Sequence, residues 1–253
     1  MIFRLEQLKH VLRKKNIDSL FLTHCINISY LMDFKVRDSY LFMKNDEILL
    51  ITDSRYSAEY KSILKDKSVK IVEVDKTLIN TLKKINKKYR IKNIAFEQEY
   101  VSFSFYQKLR QIFGKKLLPT KDIVEEMRLI KDAEELKLIR KAIDITLDAF
   151  KYIKKILKPG MREIELAKEI ERYIQLKGAN GIAFDIIVAS GPHSSFPHAQ
   201  KTDRIITNNE PVLVDMGVDY KGYKSDLTRV FFLGRINPLF KKVYNTVESA
   251  QKK

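Results

Sequence analysis

The sequence predicts two domains in tandem: a mixed α/β domain over residues 1–120 and an α+β domain over residues 121–253. Three observations carry this. Strand-length apolar runs alternate with helical stretches through the first half. In the second half, two amphipathic helices are followed by strands that read as antiparallel. Between them lies LLPTKDIVEEMRLIKD, a connecting segment with Pro119, after which the pattern changes. A chain of 253 residues, 45% hydrophobic and 32% charged, is long enough for two cores.

Taken in order, an amphipathic helix over residues 3–15 leads into DSLFLTH, an apolar run of strand length. SYLFMKNDEILLITD is a hairpin with Lys44, Asn45 and Asp46 as its polar turn. A helix follows from Ser54, then the strands VKIVEV and KNIAFE, separated by a lysine-rich helix near residues 77–89. SFSFYQKLRQIFG closes the domain as a helix stopped by Gly114. This half shows no glycine-rich phosphate loop and no metal cluster.

In the second half, Asp132 and Glu135 form a capping pair for a long helix, DAEELKLIRKAIDITLDAFKYIKKIL. Leu136, Ile139, Ile143, Leu147 and Phe150 fall at helical spacing and read as its core face. Pro159-Gly160 breaks that helix, and MREIELAKEIERYIQLKG is a second one ending at Gly178. FDIIVAS is a strand, and residues 212–234 are a hairpin.

Composition narrows the function classes. The single cysteine, Cys25, excludes an internal disulfide, points to a reducing compartment, and reads as a small buried hydrophobe. The N-terminus lacks the pattern of a signal peptide, and no apolar run approaches a membrane span, so a cytoplasmic protein without a membrane partner is expected. Net charge is +16, from 48 basic and 32 acidic residues. The lysines are scattered, so the charge reads as a solvated surface and not as a nucleic-acid footprint.

The chemistry concentrates in VLVDMGVDYKGYKSDLTR, residues 212–229. Two apolar strands each carry an aspartate, Asp215 and Asp226, where the pattern calls for an aliphatic residue. A turn centred between Tyr220 and Lys221 sets the two directly opposite, with Cβ atoms about 4.5–5.5 Å apart. Buried like charges so placed repel. Three readings remain open: a bulge that sends one aspartate to solvent, a protonated carboxyl in an acid/base dyad, or a divalent cation between them. The preceding segment, ASGPHSSFPHAQKTDR, has the chemistry of a loop. Its His193 and His198 ligate metal, shuttle protons or face solvent.

With these motifs in view, the sequence resembles the M24 metallopeptidases, the creatinase/aminopeptidase P/prolidase family. RLIKDAEELKLIRKAIDIT looks like the family's leading helix and FDIIVASGPHSSFPHA like its substrate loop. PVLVDMGVDYKGYKSDLTRVFFLG looks like the hairpin with the first two metal ligands, and TDSRYSAEY fits the N-terminal domain. The resemblance implies a creatinase-type N-terminal α/β domain over 1–120, and the N-terminal half of a pita-bread domain, incomplete, over 121–253. It implies Xaa-Pro peptidase activity with two divalent ions, manganese first and Co, Fe or Zn as alternatives. Asp215 and Asp226 would be metal ligands, Asp226 bridging both ions. His198 would steady the scissile carbonyl oxygen, and Thr228 would support a ligating carboxylate. His193 has no firm counterpart. Arg229 and Tyr223 match the hairpin as structural residues. Ala199 stands where the family usually has glycine or an aromatic residue, which leaves the subfamily open.

Implied partners are peptides with proline at the second position and a second copy of the complete enzyme. The family site also needs a histidine and two glutamates that follow the hairpin. They have no match here, so the 253-residue chain is expected to be inactive alone and to leave an uncovered apolar face. The alternatives are a non-catalytic pita-bread interaction module with a basic surface, and a metal-free hydrolase of the creatinase type.

Overall fold

A computed structural model of the protein describes residues 1–64 and 68–253. The chain forms two compact units, residues 1–130 and 131–253.

The first unit runs α1 (Ile2–Lys14), β1 (Ser19–Leu22), α2 (Cys25–Met32), β2 (Tyr40–Lys44), β3 (Glu47–Thr52), α3 (Ser54–Ile63) and β4 (Val69–Glu73). It continues with α4 (Leu78–Lys88), β5 (Ile94–Glu97), α5 (Phe103–Phe113), β6 (Leu117–Thr120) and α6 (Ile123–Leu129). The strands make one six-stranded sheet in the order β4-β3-β2-β1-β5-β6. β1, β2 and β3 pair antiparallel, and β4, β5 and β6 add in parallel. Because side chains alternate along a strand, the sheet feeds two cores. Leu20 and Leu22 join Leu5, Leu8 and Leu12 of α1 on one face. Phe21 joins Leu82, Ile85, Leu109 and Phe113 of α4 and α5 on the other. Burial on both faces is why β1 reads as an unbroken apolar run.

The sequence reading holds here except at α2, where CINISYLM forms a helix that was not expected, and at the end. LLPTKDIVEEM is not a connector: it forms β6 and α6. Proline is tolerated in β6 because that strand lies at the sheet edge. α6 places Ile123 and Val124 in the first core, so the units divide at Ile130, ten residues beyond the expected boundary at 120. Cys25 is half-buried, not fully enclosed.

The second unit contains α7 (Ala133–Ile156), α8 (Glu163–Leu176), β7 (Gly181–Ile182), β8 (Ile187–Ser190) and β9 (Pro211–Met216). β10 (Val218–Tyr220), β11 (Tyr223–Lys224), β12 (Leu227–Phe232) and α9 (Pro238–Gln251) follow. Two three-stranded sheets, β11-β10-β7 and β12-β9-β8, are antiparallel throughout. α7 begins with the expected capping box: Asp132 accepts from the Glu135 amide and Glu135 from the Asp132 amide.

The core face of α7 differs from the expected stripe. Leu136, Ile143 and Leu147 are exposed, and of that stripe only Phe150 is buried. The buried face consists of Ala142, Ile145, Thr146, Ala149, Phe150 and Ile153, which pack with Leu166, Ile170 and Ile174 of α8. α7 has two apolar faces, and the one with two alanines is the one that allows close packing.

Candidate active site

The hairpin that carries the two aspartates is built around a tight turn. Lys221 and Gly222 link β10 to β11 with φ of 51° and 85°, the left-handed pair that a two-residue type I′ turn requires. This turn centres the hairpin between residues 221 and 222, one residue beyond the expected centre. Tyr220 therefore pairs with Tyr223, and Asp215 pairs with Thr228. The two aspartates are not directly opposite each other. Continuing the register puts Asp226 across from Gly217, diagonal to Asp215 and on the same face of the ribbon.

The pair is also less buried than the flanking residues imply. Val212, Val214 and Met216 point into the core, while Asp215, on the alternate face, is half-buried and Asp226 is exposed. The predicted repulsion between buried, opposed carboxylates is thus relieved by offset and by solvent. Thr228 donates from Oγ1 to Asp215 Oδ1 at 2.7 Å, which fixes one carboxylate oxygen and leaves the other pointing elsewhere. Asp226 has no hydrogen-bond or ion-pair partner among the described residues.

Asp226 sits where the ribbon passes from one sheet to the other. At the same break, a side chain on Gly217 would overlap the Ser225 carbonyl oxygen. Ser225 is buried, shares a hydrogen bond with Thr146 of α7 at 2.6 Å and accepts from the Val218 amide. Tyr223 donates to Glu135 at 3.0 Å, and Arg229 donates to the Thr228 carbonyl oxygen. Both act on the frame around the aspartates.

β8 pairs with β9 so that Ile187 lies beside Asp215 and Ser190 beside Val212. The loop that carries His193 and His198 leaves β8 at Ser190. Its anchor is Glu163, a residue the sequence reading passed over. Glu163 is fully buried and accepts from the Ser190 amide (2.7 Å), Ser190 Oγ (2.8 Å) and Thr202 Oγ1 (2.6 Å), with His193 Nδ1 at 2.9 Å. Both ends of the loop are thereby tied to the first turn of α8. An acidic residue in a first helical turn ordinarily reads as a complement to the helix dipole, which is why its burial is invisible in sequence.

Arg204 and Glu210 form a two-pronged pair at 2.8 and 2.7 Å beneath this loop. The Arg204 guanidinium holds the Glu210 carboxyl below the usual carboxylate range despite its burial. Between these anchors, His198 is exposed and Ala199 is buried.

Two carboxylates on one ribbon face, one oriented by a threonine, lie beside a loop bearing an exposed histidine, and these are donor types that divalent ions take. Residues 137–253 match metallopeptidase family M24, and residues 4–130 match the creatinase/prolidase N-terminal domain. The chain belongs to this family.

The uncharacterized peptidase YqhT of Bacillus subtilis (strain 168) is 34% identical over 249 residues, covering 98% of this chain and 70% of that protein. The solved structure of an Xaa-Pro dipeptidase from Bacillus anthracis superposes with a TM-score of 0.90 at 31% identity, over 99% of this chain and 70% of its own. That of an X-Pro aminopeptidase from Thermotoga maritima MSB8 gives 0.88 at 33%, over 98% and 70%. The fold is a creatinase N-terminal domain followed by an M24 domain. Among the described residues, no helix is long and apolar enough to cross a membrane.

Proposed function

We propose that this protein is an Xaa-Pro peptidase of the aminopeptidase P or Xaa-Pro dipeptidase type, and that Asp215 and Asp226 hold metal in its active site. The observation that carries the reading is the offset pair of carboxylates with Thr228 bound to Asp215. The donor set fits hard divalent ions such as manganese, because carboxylate oxygens suit them and solvent reaches both residues. Bound there, a pair of such ions supplies acidified water and carbonyl polarisation.

The chain's own residues do the rest. Thr228 holds the Asp215 carboxylate in one orientation. His198 donates a hydrogen bond to the oxyanion that develops as the bond before proline breaks. Glu163 keeps the His198 loop seated on α8. The family resemblance adds a histidine and two glutamates to the complete centre. The working enzyme is read as a cytoplasmic homodimer acting on peptides with proline at the second position.

The test is hydrolysis of Xaa-Pro dipeptides and of longer Xaa-Pro peptides by the protein isolated from its own cells, with manganese supplied. Turnover that is lost in Asp226→Asn and on chelation supports the reading. Turnover retained in Asp226→Asn overturns the metal assignment.

A further inference from the structure

The first unit, whose sequence shows no metal cluster, brings three candidate ligands together in space. His24 precedes α2, Glu97 ends β5 and Glu125 lies in α6. One ligand atom from each lies within 4.8 Å of the other two. A single point therefore lies within about 2.8 Å of all three, against bonds of about 2.0–2.2 Å to nitrogen and oxygen for a zinc-sized ion. Closure by a fraction of an ångström completes the triad.

Three further observations mark the place as a ligand site rather than a plain polar cluster. His24 Nδ1 is buried and has no hydrogen-bond partner, the one such side-chain atom among the described residues. Its ring is held in place by stacking on Tyr100 at 3.8 Å, so the orphaned nitrogen is fixed and not free to turn to solvent. A buried nitrogen without a partner is destabilising, and His24 offers a ring nitrogen to the group.

The charge balance points the same way. Glu97 is buried, and Glu97 and Glu125 converge on one amide: Asn27 Nδ2 donates to both, at 2.7 and 2.6 Å. The positive group in this network is Arg128, which donates to Asn27 Oδ1 at 2.8 Å and does not bond either carboxylate directly. Glu97 Oε2 also accepts from the Thr23 and His24 amides at 2.6 and 2.9 Å, so the donors that bond Glu97 are neutral, and a bound cation would supply the opposite charge. Beside the triad, Glu97, Tyr100, Thr120, Lys121 and Glu125, but not His24, line a hollow of about 10 Å³, the scale of one water molecule.

We propose that His24, Glu97 and Glu125 bind a first-row divalent transition-metal ion that ties α2, β5 and α6 together, independent of the hairpin centre. Imidazole with two carboxylates selects zinc or its neighbours over magnesium or calcium. The site is structural in kind, since its ligands come from 73 and 28 residues apart along the chain and its surroundings are packed.

The probe is Zn²⁺ alone, on the tag-free full chain carrying Asp215→Asn and Asp226→Asn so that the hairpin is silent. Metal content after buffer exchange is expected at one equivalent per chain, and the thermal midpoint is expected to rise with added Zn²⁺. His24→Phe keeps the stack on Tyr100 and removes the ligand; it is expected to weaken binding at least about tenfold, since even outer-shell changes cost that much. Glu125→Gln serves as the second variant if His24→Phe folds poorly by circular dichroism. No stoichiometric zinc in the hairpin double variant, or equal binding with and without the His24 nitrogen, overturns the proposal. Equal zinc in the wild type and the double variant counts against the hairpin centre and leaves this site standing.

Discussion

At the scale of single residues, Glu163 decides whether the histidine loop is held. Its carboxylate is fully buried and satisfies the Ser190 amide, the Ser190 hydroxyl and the Thr202 hydroxyl at once. Glu163→Ala strands those donors, each costing about 1–3 kcal/mol when buried without a partner. Urea unfolding is expected to show a loss of about 3 kcal/mol or more, with faster proteolysis of residues 191–201; an unchanged midpoint would refute the anchoring role. Glu210 gives a pH signature. Arg204 lowers its carboxyl in the folded state below the ordinary value of 4.5. A lowered folded pKa means the stabilisation is complete above the unfolded value and is lost as pH falls through the folded one. Melts from about pH 7 to about pH 3 are expected to show wild type and Glu210→Gln converging below pH 4.5, whereas a constant difference would exclude the linkage.

At the scale of elements, the hairpin shows how one turn residue sets the register of a site. Gly222 at φ 85° sits at the second position of the turn, and a β-branched side chain there is strained. Gly222→Val is expected to cost about 1–2 kcal/mol and to weaken metal binding at Asp215 and Asp226 together, because a slipped register sends side chains to the other face. Lys221→Asn is expected to be neutral or stabilising, since asparagine tolerates the left-handed region. Metal titration with thermal melts checks both.

Period-two and period-3.6 patterns located the strands and helices through α5 except α2, whose eight residues are too few to show a clear period, and the Asp132 capping box located the start of α7. The Lys221-Gly222 signal was present but was outweighed by symmetry between the two aspartates. β6 was missed because Pro119 reads as a breaker until the strand is known to be an edge. The α7 stripe was misread because helical spacing fits both of its apolar faces, and only the tertiary partner selects between them. Among chemistry-bearing residues, Asp215, Asp226 and His198 stood out locally. Glu163 and the His24–Glu97–Glu125 group did not, because their meaning comes from contacts between distant segments.

At the scale of the whole molecule, exposed apolar surface and net charge act in opposition. α9 has no buried residue, and Leu239, Val243 and Val247 recur at four-residue spacing on one exposed face. Leu136, Ile143 and Leu147 form a second exposed stripe on α7, and β12 and β8 are sheet edges. Contiguous apolar faces and free edges of this kind favour association. The net charge of +16 opposes it by mutual repulsion. That repulsion is long-ranged and screened by salt, with a Debye length of about 10 Å at 0.1 M falling to about 3 Å at 1 M, whereas burial of apolar surface is not weakened by screening. Residues 1–253 prepared alone are therefore expected to stay dispersed at low ionic strength and to associate as salt is raised, with binding of a hydrophobic dye at both. Leu239→Lys with Val243→Lys is expected to suppress the association and the dye binding together. Light scattering across a salt series decides: a monomer with a cooperative melt and no dye binding at 1 M salt would mean that these faces are already satisfied within the chain.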